Sequence, residues 1–159
     1  MNRKTLLGVI VCAALLIGTG VSALAGVGQG AVGNGIAQND AGLIGEFQFK
    51  VHKAIFQEQA SIVERVGGSA AFRTVIPGQA AIEINCKRVV TLTLSEDKKG
   101  AEFSGPAVMH VRTQQGITRV PGTVHWRVVD RGRPGPLNPP DLIGVHFTPA
   151  DGNQDFNFG

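Results

Sequence analysis

From Glu46 the chain alternates with period two, Phe47, Phe49 and Val51 interleaving with Glu46, Gln48, Lys50 and His52. Successive side chains of an extended chain point to opposite faces, so the rings share one face and the polar groups the other, which predicts a half-buried strand. Further strands are predicted over residues 70–76, 80–86, 88–95, 100–103, 107–113, 122–130 and 142–148. Turn chemistry separates them. Pro77-Gly78, Asp97-Lys98-Lys99-Gly100, Gln114-Gln115-Gly116 and the Pro/Gly run of residues 132–140 fix φ or supply φ > 0, and so interrupt a ladder. Seven or eight short strands at this spacing predict an all-β fold, either an antiparallel β-sandwich or a small β-barrel.

One stretch follows a different period. Ile55, Phe56, Gln59, Ile62, Val63 and Val66 recur at helical spacing, and Gly67-Gly68 stands where a helix C-cap would be. One short helix near residues 54–66 and two strands are equally compatible with that pattern.

The ends of the chain read differently from its middle. Residues 1–25 have the parts of a secretory signal: Arg3 and Lys4, an apolar run from Leu6 to Ile17, and the small-residue end Ala23-Leu24-Ala25. Cleavage after Ala25 is expected, and a retained anchor is the alternative. Residues 26–44, rich in glycine, read as a flexible leader, because small and amide residues bury too little apolar area to offset their backbone entropy. Gly28-x-Gly30-x-x-Gly33 matches a dinucleotide-binding spacing, but no strand precedes it and no amphipathic helix opens at Gly33, so the linker reading stands. Residues 45–150 form the expected β domain, and residues 151–159 a polar tail.

Composition narrows the function classes. With 43% hydrophobic and 17% charged residues, the chain suits one globular domain and excludes a long disordered or coiled-coil protein. The net charge of +3 owes Arg3 and Lys4 to the signal; beyond them thirteen basic residues meet twelve acidic ones. Such a near-neutral domain, without a basic patch, gives no support to nucleic-acid binding. Of the two cysteines, Cys12 goes with the signal, so Cys86 has no partner for an intramolecular disulfide.

Phe47-x-Phe49-x-Val51, then Ala101-x-Phe103-x-Gly105, then Val128-Val129-Asp130, and a Pro/Gly loop leading to Asp141, Ile143 and Val145 form a recognisable order. Over about residues 45–148 it resembles the post-COAP type of bacterial secreted β-rich domain. The resemblance implies secretion and an all-β fold, and it brings no catalytic residues.

Chemistry-bearing residues are few. His110, His125 and His146 each fall on the polar side of a predicted strand, as does His52. If neighbouring strands brought His110, His125 and His146 together, neutral imidazoles could hold a zinc-like ion; Lys50, Arg112 and Arg127 on the same face could bind an anion. The simpler expectation is a solvated outer face. Asp151-Gly152-Asn153-Gln154-Asp155 opens like a calcium loop, but Phe156 replaces the required glycine and the terminal glutamate position is missing, so it reads as tail. Cys86 shares the apolar parity of Ile82 and Ile84 and is expected buried and inert. No G-x-S-x-G elbow accompanies any serine, and no catalytic residue or cofactor is expected.

The function expected is that of an exported, non-catalytic β domain, secreted, periplasmic or on the cell surface, engaged in binding or structural association through loops such as residues 132–140. Its partner would be an extracytoplasmic protein or a small ligand, with no nucleic acid and no stable membrane span after cleavage. A metal- or anion-binding enzyme using the histidine face and a small-ligand carrier barrel are the alternatives.

Overall fold

The computed structural model describes residues 27–58, 61–131 and 141–159. They form nine strands and no helix: β1 (Val27–Gln38), β2 (Ile44–Glu58), β3 (Ser61–Ile76), β4 (Ala80–Cys86), β5 (Thr91–Leu94), β6 (Gly100–Thr113), β7 (Gly116–Val129), β8 (Leu142–Pro149) and β9 (Phe156–Phe158). All pairings are antiparallel, in the order β1-β2-β3-β4-β6-β7-β8-β9, with β5 added to β6. The sheet curls into a half-barrel.

The period-two face becomes the concave core. Phe47, Phe49 and Val51 of β2 meet Phe72 of β3, Ile82 and Ile84 of β4, Phe103 of β6, Trp126 of β7 and Phe147 of β8, all buried. The rings interlock: Phe103 stacks on Trp126 at 5.6 Å, and Phe49 lies 5.3 Å from Phe103. Offset and tilted rings at such distances add about 0.5–1.5 kcal/mol per pair beyond the burial of their area.

β6 changes partners along its length. Residues 101–104 pair with β5, and residues 108–112 pair with β4. Between them Gly105 runs against the chain joining β4 to β5: a Cβ there would collide with the Arg88 carbonyl oxygen and lie 2.9 Å from Cys86 Sγ. Only a residue without a side chain fits at this crossing. The β4–β5 link is held by Val89 N–H donating to Gly68 O at 3.0 Å and Val90 N–H donating to Ser104 O at 2.8 Å. Gly68 makes its own close approach to β2, at a φ of 130°.

Three expectations need correction. The helix near residues 54–66 is absent where the structure is described: β2 runs through Glu58 and β3 starts at Ser61, paired from Gly45↔Thr74 to Glu58↔Ser61. The far part of this hairpin carries Lys53 paired with Glu64 at 2.8 Å and Arg65 over the Phe56 ring at 5.5 Å. Residues 53–56 are half-buried on both parities, which is why alternation fades there. Residues 27–38 are no flexible leader but β1, in register with β2 from Val27↔Ile55 to Gln38↔Ile44. Its glycines serve the packing: a Cβ on Gly33 would strike the Phe49 ring, and one on Gly30 would meet the β2 backbone. The tail is no free end either, since β9 inserts Phe158, 2% exposed, 4.7 Å from Phe72. The signal of residues 1–25 and the loop of residues 132–140 lie outside the described residues.

Candidate functional site

The convex face carries the outward-facing positions of the strands. Antiparallel register aligns Thr91 of β5, Ser104 of β6, His125 of β7, His146 of β8 and Asn157 of β9 in one row across five strands. His125 and His146 are direct cross-strand partners, with ring centroids 6.2 Å apart and planes 33° from parallel. Asp155, just before β9, places Oδ2 2.8 Å from His146 Nε2 and accepts a longer bond from the Thr148 hydroxyl at 3.5 Å. The His146 and Asp155 side chains are both a little over 40% exposed. The next row is Thr93, Glu102, Arg127 and Gly144, in which Arg127 Nε lies 3.4 Å from Glu102 Oε1. The two rows line an open groove of about 560 Å³.

Strand parity places each histidine on the polar side of its strand but carries no information on which strands adjoin. Register brings together only two of the three proposed metal ligands. His110 faces Glu83 on β4 and Arg119 on β7, six positions along β6 from Ser104, or roughly 20 Å at about 3.3 Å per residue. His52 sits on β2, opposite Gly67. Among the described residues no group of three or more His, Cys, Asp and Glu side chains is arranged to hold a metal ion, so the three-histidine zinc arrangement does not form.

The anion set does not assemble either. Arg127 opposes Glu102, whereas Arg112 lies ten positions farther along β6, opposite Ala81 and Ile117. Lys50 is on β2, between Val32 and Ser69. Three separated cations, one beside a carboxylate, make no common anion pocket.

Among the described residues neither Ser104 nor Cys86 is hydrogen-bonded to a base. Ser104 is 8% exposed, and its hydroxyl shares a 2.6 Å hydrogen bond with Thr91 Oγ1. Cys86 is buried, its thiol donates to the Arg88 carbonyl at 3.4 Å, and burial pushes its pKa above the usual thiol value. That favours the unreactive thiol over the nucleophilic thiolate. The calcium-like run also dissolves into local bonds: Asp151 accepts from the Asn153 backbone and side-chain amides, while Asp155 turns to His146.

Asp155 is the residue that spacing alone does not reveal. Nine positions separate it from His146, and only the β8–β9 hairpin, with Phe147 opposite Phe156, brings it back. The available signal was the alternation Phe156-x-Phe158, two rings straddling one polar residue after an Asp/Asn-rich turn.

In comparisons with protein-family models, with curated proteins and with solved structures, no match to this chain was found.

Proposed function

We propose that this chain is an exported, non-catalytic β domain whose work is structural association outside the cytoplasm, through strand addition at β1 by a second copy of itself. The observation that carries the reading is the edge of the sheet. Among the described residues β1 pairs with β2 alone, and its twelve residues, VGQGAVGNGIAQ, contain no charge and no proline. Edge strands of monomeric β proteins are commonly guarded by charge, proline, a bulge or shortness, because unpaired N–H and C=O groups template another strand. The opposite end of the sheet follows that rule, since β9 has three residues. β1 does not.

A second copy suits this edge. On the convex face β1 exposes Val32 and Ile36 at 45% and 40%. Antiparallel pairing of two β1 strands about Asn34 sets Val32 of each copy opposite Ile36 of the other, keeps like faces together and places no like charges across the seam. Cross-strand apolar pairs then add to the main-chain hydrogen bonds. The domain needs no catalytic group for this role.

Sedimentation equilibrium of the exported protein tests it. Dimer formation that is lost in Asn34→Pro and Val32→Lys, with circular dichroism unchanged, is the expected result. A monomer up to about 100 µM, or a dimer indifferent to both substitutions, refutes it.

A further inference from the structure

The convex groove contains an arrangement that the association role does not use. His125 and His146 stand directly opposite on β7 and β8, where cross-strand Cβ atoms are about 4.5–5.5 Å apart. Two imidazoles on one ion at a metal–nitrogen distance of about 2.0–2.1 Å bring their ring centroids to roughly 5–6 Å. The observed 6.2 Å is close to that span. Both rings lie over open space in the groove.

Asp155 supplies an independent observation. Its carboxylate is 2.8 Å from His146 Nε2, and a carboxylate can only accept, so the bond fixes the ring proton on Nε2. The Nδ1 lone pair of His146 is then available to an ion. A carboxylate on the distal ring nitrogen is the outer-shell pattern of metal-ligating histidines, where it orients the ring and raises its basicity. Because Asp155 acts from this outer position, the arrangement is a two-ligand site completed by water. It is therefore consistent with the lack of any group of three direct ligands among the described residues.

We propose that His125 and His146 form a surface site for a first-row divalent transition cation of the zinc, nickel or copper class, with Asp155 as the positioning residue that orients His146. Imidazole donors select these borderline ions over magnesium and calcium, which require oxygen ligands. The rigid β7–β8 ladder, in register from Gly122↔Pro149 to Val129↔Leu142, holds the two histidines in place before the ion arrives.

Calorimetric titration of the full chain with nickel(II), which leaves the Cys86 thiol unoxidised, and in parallel with magnesium, tests the site. Saturable nickel binding near one equivalent and no magnesium binding are expected. His125→Ala and His146→Ala should each weaken nickel binding at least tenfold. Asp155→Asn should weaken it about 10- to 100-fold, and His110→Ala should leave it unchanged. Circular dichroism checks that each variant is folded, as expected for exposed positions. The proposal is overturned if wild-type protein binds nickel no better than about 1 mM, if either His125→Ala or His146→Ala retains wild-type affinity, or if His110→Ala is as damaging as they are. Wild-type affinity in Asp155→Asn overturns the assignment of Asp155.

Discussion

Removing the last four residues, 156–159, separates two descriptions of the C-terminus. A solvated polar tail would leave stability within about 0.5 kcal/mol of the parent. In the structure the same deletion takes out Phe158, which lies 4.7 Å from the Phe72 ring and pairs with Val145 across the β8–β9 ladder. Transfer of a buried phenylalanine to water costs about 1.5–3 kcal/mol. The vacated space adds about 24 cal/mol per Å³ of cavity that fails to collapse, so a complete Phe→Ala loss is about 3–5 kcal/mol. A three-residue terminal strand leaves its neighbours free to relax, which puts the expected loss near the lower end, about 3 kcal/mol. For a domain of this size that corresponds to a fall in Tm of roughly 10 °C. Urea denaturation followed by tryptophan fluorescence is the assay, because Trp126 is the only tryptophan and is 2% exposed. A double-mutant cycle of Phe72→Ala and Phe158→Ala should return a coupling of about 0.5–1.5 kcal/mol. A truncated protein melting within about 2 °C of the parent would show that β9 contributes nothing to the core, and the reasoning would fail.

Gly105→Ala should cost about 1–3 kcal/mol by forcing β6 away from the Arg88 carbonyl, whereas Gly28→Ala, whose Cβ meets nothing within 4 Å, should stay within about 0.5 kcal/mol; thermal melts of both compare them directly. Cys86 should react with a thiol reagent far more slowly in native buffer than in denaturant, and fast native labelling at neutral pH would contradict its burial. Trp126→Phe should cost less than its loss of volume implies, because among the described residues the buried indole N–H has no hydrogen-bond partner and its removal recovers about 1–3 kcal/mol of desolvation; a loss above about 4 kcal/mol by urea denaturation would refute this. The Asp97 carboxyl is held below its usual pKa by the Ser95 hydroxyl and the Lys99 amide, so its stabilising share is present above about pH 4 and lost as pH falls through the lower folded value; Asp97→Asn should flatten that part of an acid titration of stability.

What the sequence made legible was parity. Phe47, Phe49 and Val51, then Ile82, Ile84 and Cys86, then Val124, Trp126 and Val128, all point into the core as alternation requires, and the 80–86 strand carries the same bounds in the structure. Alternation fails where one face is not hydrophobic. β1 carries no charge and no large side chain on its inward positions, where Ala31 is buried and the Phe49 ring of the neighbouring strand occupies the space over Gly33, so its own residues give no alternating signal. The hairpin of residues 53–66 fails for the converse reason, because Ile55 and Phe56 are half-buried on opposite faces and imitate helical spacing. The histidine pair was legible only by halves. Parity put His125 and His146 on the outer face, but their pairing depends on the β7–β8 register, which parity within one strand does not contain.

The order of strands also bears on how the chain reaches this state. β1 to β4 form one run of hairpins and β6 to β9 another, each strand pairing with its neighbour in sequence. The two runs are zipped to each other by the β4–β6 seam, with Ile84 opposite Met109, across the intervening β5 excursion. Hairpins close in microseconds, whereas a seam between distant segments must first meet the entropy of bringing them together. Folding is therefore expected to wait on that seam. Stopped-flow measurements should find that Ile84→Val and Met109→Ala mainly slow folding, while Phe158→Ala, at the end of a finished run, mainly speeds unfolding.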